Sequence, residues 1–278
     1  MSKSISFLKK LAKVFLGRAT VVEITPLTFT GWQMATGTQV PWHQGGGNQR
    51  SRSFSECDVQ MTDLISRREV RLTQFRQESV DSEVAALKWR HYFVHWTASE
   101  AARLKSSSRK NFVELGVCDG LTAWYAAHAR LEAKCDGWFY LYDAWAPMRE
   151  DLLTESEKTS AGSYAYLSIE NTKKNLSVTG FDGFVFNKGY IPESFTTSQN
   201  PDTVAWLHID LNSAIPTLAA LDYFWGRMIH GGIVLFDDFA WPGYEDTRQK
   251  IEAWSDARGV PILHLPTGQG MITKSANT

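Results

Sequence analysis

The chain has 278 residues, of which 43% are hydrophobic and 21% charged, so it can bury one large core or two small ones. Its 29 basic and 30 acidic residues give a net charge of -1, which argues against a nucleic-acid-binding protein that relies on a general positive field. The three cysteines, Cys57, Cys118 and Cys135, are too few and too scattered for a disulfide framework. We therefore expect a cytoplasmic protein without nucleic acid as a partner.

Basic side chains are concentrated in the first twenty residues, which contain no acidic residue. Apolar side chains recur there at helical spacing, which predicts a basic amphipathic helix over residues 1–20. Such a helix favours weak contact with a membrane surface or a partner, or packing on its own domain. Glycines and prolines then interrupt any period, so residues 21–55 are expected to be irregular, with Trp32, Trp42 and His43 in a segment that could form a lid.

Residues 61–105 contain neither glycine nor proline, and their apolar positions recur at roughly helical spacing. This pattern predicts two or three helices, followed by a serine-rich linker over 105–110. Residues 21–110 are therefore interpreted as an irregular and then helical cap or lid region. We interpret these segments as candidates for the wall of a ligand pocket or for an oligomer contact, and we expect a homo-oligomer.

From residue 111 onwards, short β-type runs alternate with helical stretches, which is typical of a parallel sheet with crossover helices. The predicted strands are 111–115, 138–142, 184–187, 204–209 and 233–236. The predicted helices are 121–131, 164–176, 216–229, ended by Gly231 and Gly232, and 245–258. A terminal hairpin of 261–265 and 270–274 completes a doubly wound, Rossmann-like α/β sheet of five parallel strands and one antiparallel pair.

The first predicted strand leads into a glycine-containing loop, E-x-G-x-x-x-G, formed by Glu114, Gly116 and Gly120. Glycines allow a sharp turn and a close approach to a ligand, and the next helix offers its N-terminal amides. The third glycine of the dinucleotide fingerprint is missing, and a carboxylate here would repel a pyrophosphate. A helix-packing turn would look similar, so this loop alone does not identify a ligand.

Asp143 ends the next predicted strand, where an acidic residue can accept both hydroxyls of a ribose. Its alternative role is that of a helix cap or turn residue. Together with the glycine loop, Asp143 favours a ligand that has a ribose but needs no phosphate contact. A nicotinamide-dependent oxidoreductase is therefore the less favoured interpretation.

Acidic residues also follow two later strands, Asp210 in the first case and Asp237 with Asp238 in the second. If these strands are neighbours, the three carboxylates and the Asn212 amide meet at one edge, where they repel each other unless a cation neutralises them. Oxygen ligands of this kind suit Mg²⁺, Ca²⁺ or Mn²⁺. The alternative is that Asp237 or Asp238 caps a helix or pairs with a lysine or arginine. His208 has alternating neighbours and is expected to point to the other face of its strand, with a role as ligand or base as the alternative.

Six segments carry a resemblance to a known family: FVELGVCDG, FYLYDAW, NKGYIPESF, LHIDLN, GGIVLFDDF and LPTGQGMITK. With these segments in this order, residues 111–274 resemble a class I S-adenosylmethionine-dependent methyltransferase, most similar to the macrocin and mycinamicin type of sugar O-methyltransferase. The resemblance implies an S-adenosylmethionine-binding domain over residues 111–278. It implies cofactor contacts at Glu114, Gly116, Val117 and Gly120, ribose binding by Asp143, an adenine border at Gly189, Tyr190 and Ile191, a further cofactor contact at Asp210, and Mg²⁺ ligands at Asp210, Asp237 and Asp238.

The sequence departs from this family in two places. Residues 144–178 contain no histidine to act as the general base that relatives place there, and Asn212 stands where relatives often have an aspartate. The expected activity is methyl transfer to a hydroxyl of a vicinal-diol small molecule, sugar or glycan, with Asp210 touching the acceptor. A scaffold that binds the cofactor without catalysis, and docks through residues 1–20, is the competing interpretation.

Overall fold

The computed structural model describes residues 49–276. The predicted basic helix at residues 1–20, and Trp32, Trp42 and His43, lie outside the described residues. No helix within residues 49–276 is both long and apolar enough to cross a bilayer. Three helices of the described chain precede the sheet: α1 (Gln49–Ser66), α2 (Val80–Ala86) and α3 (Lys88–Ala102).

The described chain forms one seven-stranded sheet with the strand order β3-β2-β1-β4-β5-β7-β6. Its strands are β1 (Phe112–Leu115), β2 (Phe139–Asp143), β3 (Phe184–Lys188), β4 (Val204–Ile209), β5 (Met228–Phe236), β6 (Leu263–His264) and β7 (Gly270–Thr273). Strands β1 to β5 are parallel, and β7 pairs antiparallel with both β5 and β6. This confirms the predicted Rossmann-like sheet of five parallel strands and a terminal antiparallel pair.

Strand register brings the carboxyl ends of the central strands to the same level. Leu115 pairs with Tyr142 on one side and with Ile209 on the other, and Ile209 pairs with Phe236. The chain order reverses between β1 and β4, so the loops after these two strands diverge and leave a crevice between them. The loops predicted to carry the chemistry therefore follow strand ends at one edge of the sheet.

Four helices follow the first strand: α4 (Leu121–Ala133), α5 (Ile169–Ser177), α6 (Ala214–Trp225) and α7 (Glu245–Asp256). The helix predicted from 164 begins only at Ile169, directly after Ser168, whose backbone is extended. Tyr164 itself is left-handed, with φ of 66°. Short 3-10 helices occupy part of the preceding connection, at Glu150–Leu152 and Glu155–Ser160.

The prediction that Gly231 and Gly232 end a helix is wrong, since both lie inside β5. The Gly231 N–H donates to the Lys274 carbonyl, and the Lys274 N–H donates to the Gly232 carbonyl, each at 2.8 Å. The β4–β5 register shifts near these glycines, and Gly231 has φ of 79°, so the pair forms an irregularity in the strand. Pairing with a segment 42 residues further along the chain overrides the local helix-stop signal.

The expectation of irregular structure up to residue 55 is also wrong, because α1 begins at Gln49. Its Phe54 side chain is fully buried and contacts Tyr92 of α3 edge to face, with ring centroids 5.4 Å apart. It also lies 5.8 Å from the ring of Tyr125 on α4. The hydrophobic core of the sheet thus continues into the cap helices without a break.

Replacing Phe54 with alanine tests this packing. We expect the free energy of unfolding to fall by about 3–5 kcal/mol, because the variant leaves a cavity between three helices. The control is Val59→Ala on the same helix, where the side chain is 68% exposed and the change should stay within about 0.5 kcal/mol. Urea denaturation followed by circular dichroism measures both values, and equal values would contradict the packing of α1 on the core.

Candidate active site

A cavity of about 410 Å³ opens at the carboxyl edge of the sheet, which is the size of a typical small-molecule site. It is bounded by the loops after β1 to β5 and by α3. The predicted site residues that line it are Gly116, Val117, Asp143, Gly189, Tyr190, Ile191, Asp210, Asp237 and Asp238. Glu114 and Gly120 are not part of this lining: Glu114 is buried within β1, and Gly120 caps α4 against the Leu176 side chain.

Gly116 holds the loop after β1 against the end of β4. A Cβ atom added at this position would lie 1.7 Å from the carbonyl oxygen of Asp210. The residue also has φ of 84°, a conformation that other residues adopt at a cost. The Asp210 N–H donates to the Leu115 carbonyl at 2.9 Å, so the two backbones are in direct contact. Glycine is therefore required here both by conformation and by space.

The Asp143 carboxylate organises the same loop from the other side. One oxygen accepts hydrogen bonds from the Val117 and Cys118 amides, each at 2.8 Å, and the other accepts from the Trp145 amide at 2.6 Å. Burial raises the pKa of Asp143, and the three amides oppose that rise. A carboxylate offers about four acceptor positions, so one remains for a ligand hydroxyl in the cavity.

Asp119 was missed by the sequence analysis, although it lies in the glycine loop. Its buried carboxylate accepts hydrogen bonds from the Thr73 amide, from the Thr73 hydroxyl at 2.8 Å, from the Gln74 amide at 3.2 Å and from the Asn171 side chain at 2.7 Å. These bonds hold the segment after α1 over the cavity, where Gln74 and Phe75 form part of the wall. No sequence pattern marks Asp119 as the partner of a segment 46 residues away.

Asp210, Asp237 and Asp238 form an acidic cluster, in which one oxygen of each carboxylate lies within 4.8 Å of the others. The two strands that precede these residues, β4 and β5, are therefore neighbours, as expected. Burial and the Asp238 carboxylate raise the pKa of Asp210 well above its usual value. The Asn212 amide donates weakly to Asp210 at 3.4 Å, while the Tyr244 hydroxyl donates to the Asn212 oxygen at 2.6 Å.

Arg90 of α3 also enters the acidic cluster, and sequence reasoning did not find it. Its guanidinium forms an ion pair with Asp237, donates to the Asp237 carbonyl at 3.0 Å and lies 3.6 Å from Asp238. The guanidinium carbon also lies 4.7 Å above the Trp241 ring. The pairing of Asp237 with an arginine was one of the alternatives, but its partner is 147 residues away on a cap helix.

Two histidines lie near the cluster and are held neutral. His208 is fully buried, with its ring nitrogens 3.6 Å from Glu114 and 3.7 Å from Asp237, and it does not line the cavity. His91 does line the cavity and stacks on Tyr125 with ring centroids 4.6 Å apart. Burial and the charge of Arg90 lower the pKa of each histidine to about 3.

Comparisons with known proteins identify the domain. Residues 113–239 match the model of a family described as a methyltransferase domain. The chain therefore contains an S-adenosylmethionine-dependent methyltransferase domain. A search of curated proteins finds no match to it.

Two solved structures share the fold of this methyltransferase. The O-methyltransferase NovP is 18% identical, with a TM-score of 0.56 over 67% of this chain and 79% of NovP. CalS11, described as a calicheamicin methyltransferase, is 15% identical, with a TM-score of 0.54 over 85% of this chain and 98% of CalS11. The likeness to CalS11 includes much of the cap region as well as the sheet.

Substitution of Gly116 by alanine tests whether this methyltransferase binds its cofactor through the loop after β1. We expect S-adenosylhomocysteine to bind at least about tenfold more weakly, because the new Cβ would push the loop away from Asp210. Gly162→Ala is the matched control, since Gly162 has a similar φ of 81° but open space where a Cβ would lie. Calorimetric titration measures both affinities, and an equal loss in the two variants would rule out the steric explanation.

Proposed function

We propose that the methyltransferase moves the methyl group of S-adenosylmethionine to a hydroxyl of a vicinal-diol small molecule or sugar, assisted by a divalent cation. The observation that carries this proposal is that the glycine loop and the acidic cluster line the same cavity. The names of two proteins with the same fold agree with it, since NovP is an O-methyltransferase and CalS11 a calicheamicin methyltransferase.

The cofactor occupies the half of the cavity formed by the loops after β1, β2 and β3. Gly116 and Val117 face the methionine part, and the free acceptor position of Asp143 takes a ribose hydroxyl. Residues 189–191 also line the cavity and would border the adenine. Glu114 is buried in β1 and outside the lining, so it would support the loop that follows β1 instead of contacting the cofactor.

The acceptor occupies the half next to the acidic cluster. Asp210 binds and orients its hydroxyl, and the close contact between Asp210 and Gly116 brings that hydroxyl near the cofactor. Methyl transfer is an in-line displacement, so alignment of donor and acceptor supplies much of the rate enhancement. His91, as a neutral ring in the cavity wall, can hydrogen-bond a second polar group of the acceptor.

The charges of the cluster fit a divalent cation. When all three carboxylates are ionised, as a bound cation would favour, they and the Arg90 guanidinium carry two net negative charges. An oxygen of Asp238 is also buried without a hydrogen-bond partner among the described residues. Carboxylate oxygens are the ligands that Mg²⁺ and Mn²⁺ prefer. When bound, such an ion lowers the pKa of an acceptor hydroxyl and favours substrates with two neighbouring hydroxyls.

Metal removal and the substitution Asp238→Asn test this function together. We expect either change to lower the rate of methyl transfer to the best substrate of a diol and sugar panel by about 100-fold or more, because the acceptor loses its alignment and activation. Binding of S-adenosylhomocysteine should change by less than about threefold, as measured by calorimetry.

Two controls accompany the measurement. Added Mg²⁺ or Mn²⁺ should restore the chelated enzyme, and Asp182→Asn, at an exposed residue before β3 and at the opposite edge of the sheet, should leave transfer unchanged. Normal turnover both after chelation and in Asp238→Asn would eliminate the role of the cation. Transfer to amines with none to diols would eliminate O-methylation.

A further inference from the structure

The side chain of Arg90 is a fixed cation inside the acidic cluster. It is only 13% exposed, and it is held by the Asp237 carboxylate, the Asp237 carbonyl and the face of Trp241. Arg90 belongs to α3 of the cap region rather than to the sheet that carries the acids. A guanidinium keeps its charge at all ordinary pH values, so this residue contributes a permanent positive charge to the site.

Both oxygens of the Asp237 carboxylate already have partners. One pairs with Arg90, and the other accepts a hydrogen bond from the Gln269 side chain at 2.8 Å. Asp238 differs, because Arg90 lies 3.6 Å from its first oxygen and the second oxygen has no partner in the described part of the chain. The hydrogen bond to Asp210 from Asn212 is long, at 3.4 Å.

We infer that Arg90 is a built-in counter-ion that reserves Asp237 and so reduces the three-aspartate cluster to a two-carboxylate site for the divalent cation, formed by Asp210 and Asp238. This inference rests on the proposed function in so far as that function includes a cation. Arg90 is then a positioning residue, and Asp237 binds the arginine instead of the metal. The cap helix α3 thereby sets the charge of the metal site.

Two electrostatic consequences follow from this arrangement. Loss of the Arg90 charge alone makes the cluster more negative, and a divalent ion should then bind more tightly. Loss of Arg90 and Asp237 together removes one positive and one negative charge, so the net charge of the cluster is unchanged. A site made by Asp210 and Asp238 would survive the double change, whereas a three-aspartate site would lose a ligand.

The experiment measures Mn²⁺ binding to the full chain, by electron paramagnetic resonance of free Mn²⁺ in the presence of S-adenosylhomocysteine. We expect Arg90→Gln to lower the dissociation constant by about tenfold or more, and the double variant Arg90→Gln/Asp237→Asn to stay within about threefold of the wild type. Asp210→Asn and Asp238→Asn should each weaken binding by more than about tenfold. Arg103→Gln is the matched control on α3, because Arg103 pairs with Glu132 away from the cluster.

Three results would overturn the inference: no tighter binding in Arg90→Gln, a loss of more than about tenfold in the double variant, or no Mn²⁺ binding by the wild type. Arg90→Lys keeps the charge and should bind Mn²⁺ like the wild type, which provides a test if Arg90→Gln does not fold. Methyl transfer is assayed separately with and without chelator. If the wild type transfers methyl groups in the presence of chelator and does not bind Mn²⁺, the inference is overturned but O-methylation stands. If Mn²⁺ binds as expected and no diol is methylated, the proposed function is overturned.

Discussion

The contact between the backbones of Gly116 and Asp210 determines the shape of the site. It joins the loop after β1 to the end of β4 at the point where the strand order reverses, so the two loops open on one crevice. The level ends of the central strands bring Asp143 and Asp237 to the same crevice. A side chain at 116 would clash with the Asp210 carbonyl and push the glycine loop away from the acidic cluster.

The second constraint is the cost of burying acids around this crevice. Glu114, Asp143 and Asp210 all have raised pKa values, chiefly because burial disfavours their charged forms. Different groups offset this cost. Backbone amides donate hydrogen bonds to Asp143, and the Arg90 guanidinium forms an ion pair with Asp237. Asp210 accepts the long bond from Asn212 and is partly compensated by the charge of Arg90, while one oxygen of Glu114 has no hydrogen-bond partner in the described part of the chain. Of the two weakly compensated acids, Glu114 and Asp210, only Asp210 lines the cavity, where a ligand can stabilise its charge.

The sequence predicted those parts of the site that depend on local pattern. Asp143, Asp210 and Asp237 follow strands whose apolar runs are recognisable, and parallel topology then brings such strand ends together. It did not predict the roles of Arg90 or Asp119, because their partners lie 147 and 46 residues away in the sequence. In the sequence alone, neither residue can be distinguished from the other polar residues of a cap helix or a loop. The helix end predicted at Gly231 was wrong for a related reason. Gly231 pairs with Lys274, and the residues next to Gly231 in the sequence give no sign of that pairing.

The cap region contributes side chains to the cavity itself and is not a separate lid over it. Phe54 fixes α1 against α3 and α4, while Arg90 and His91 on α3 face the cavity. The helix that is buried on one side by aromatic packing therefore presents charge and hydrogen-bonding groups on the other. Because close-packed helices transmit small displacements instead of absorbing them, the position of the guanidinium depends on the packing of α1. Changes in this cap can thus alter the charge of the acidic cluster without altering any residue of the sheet.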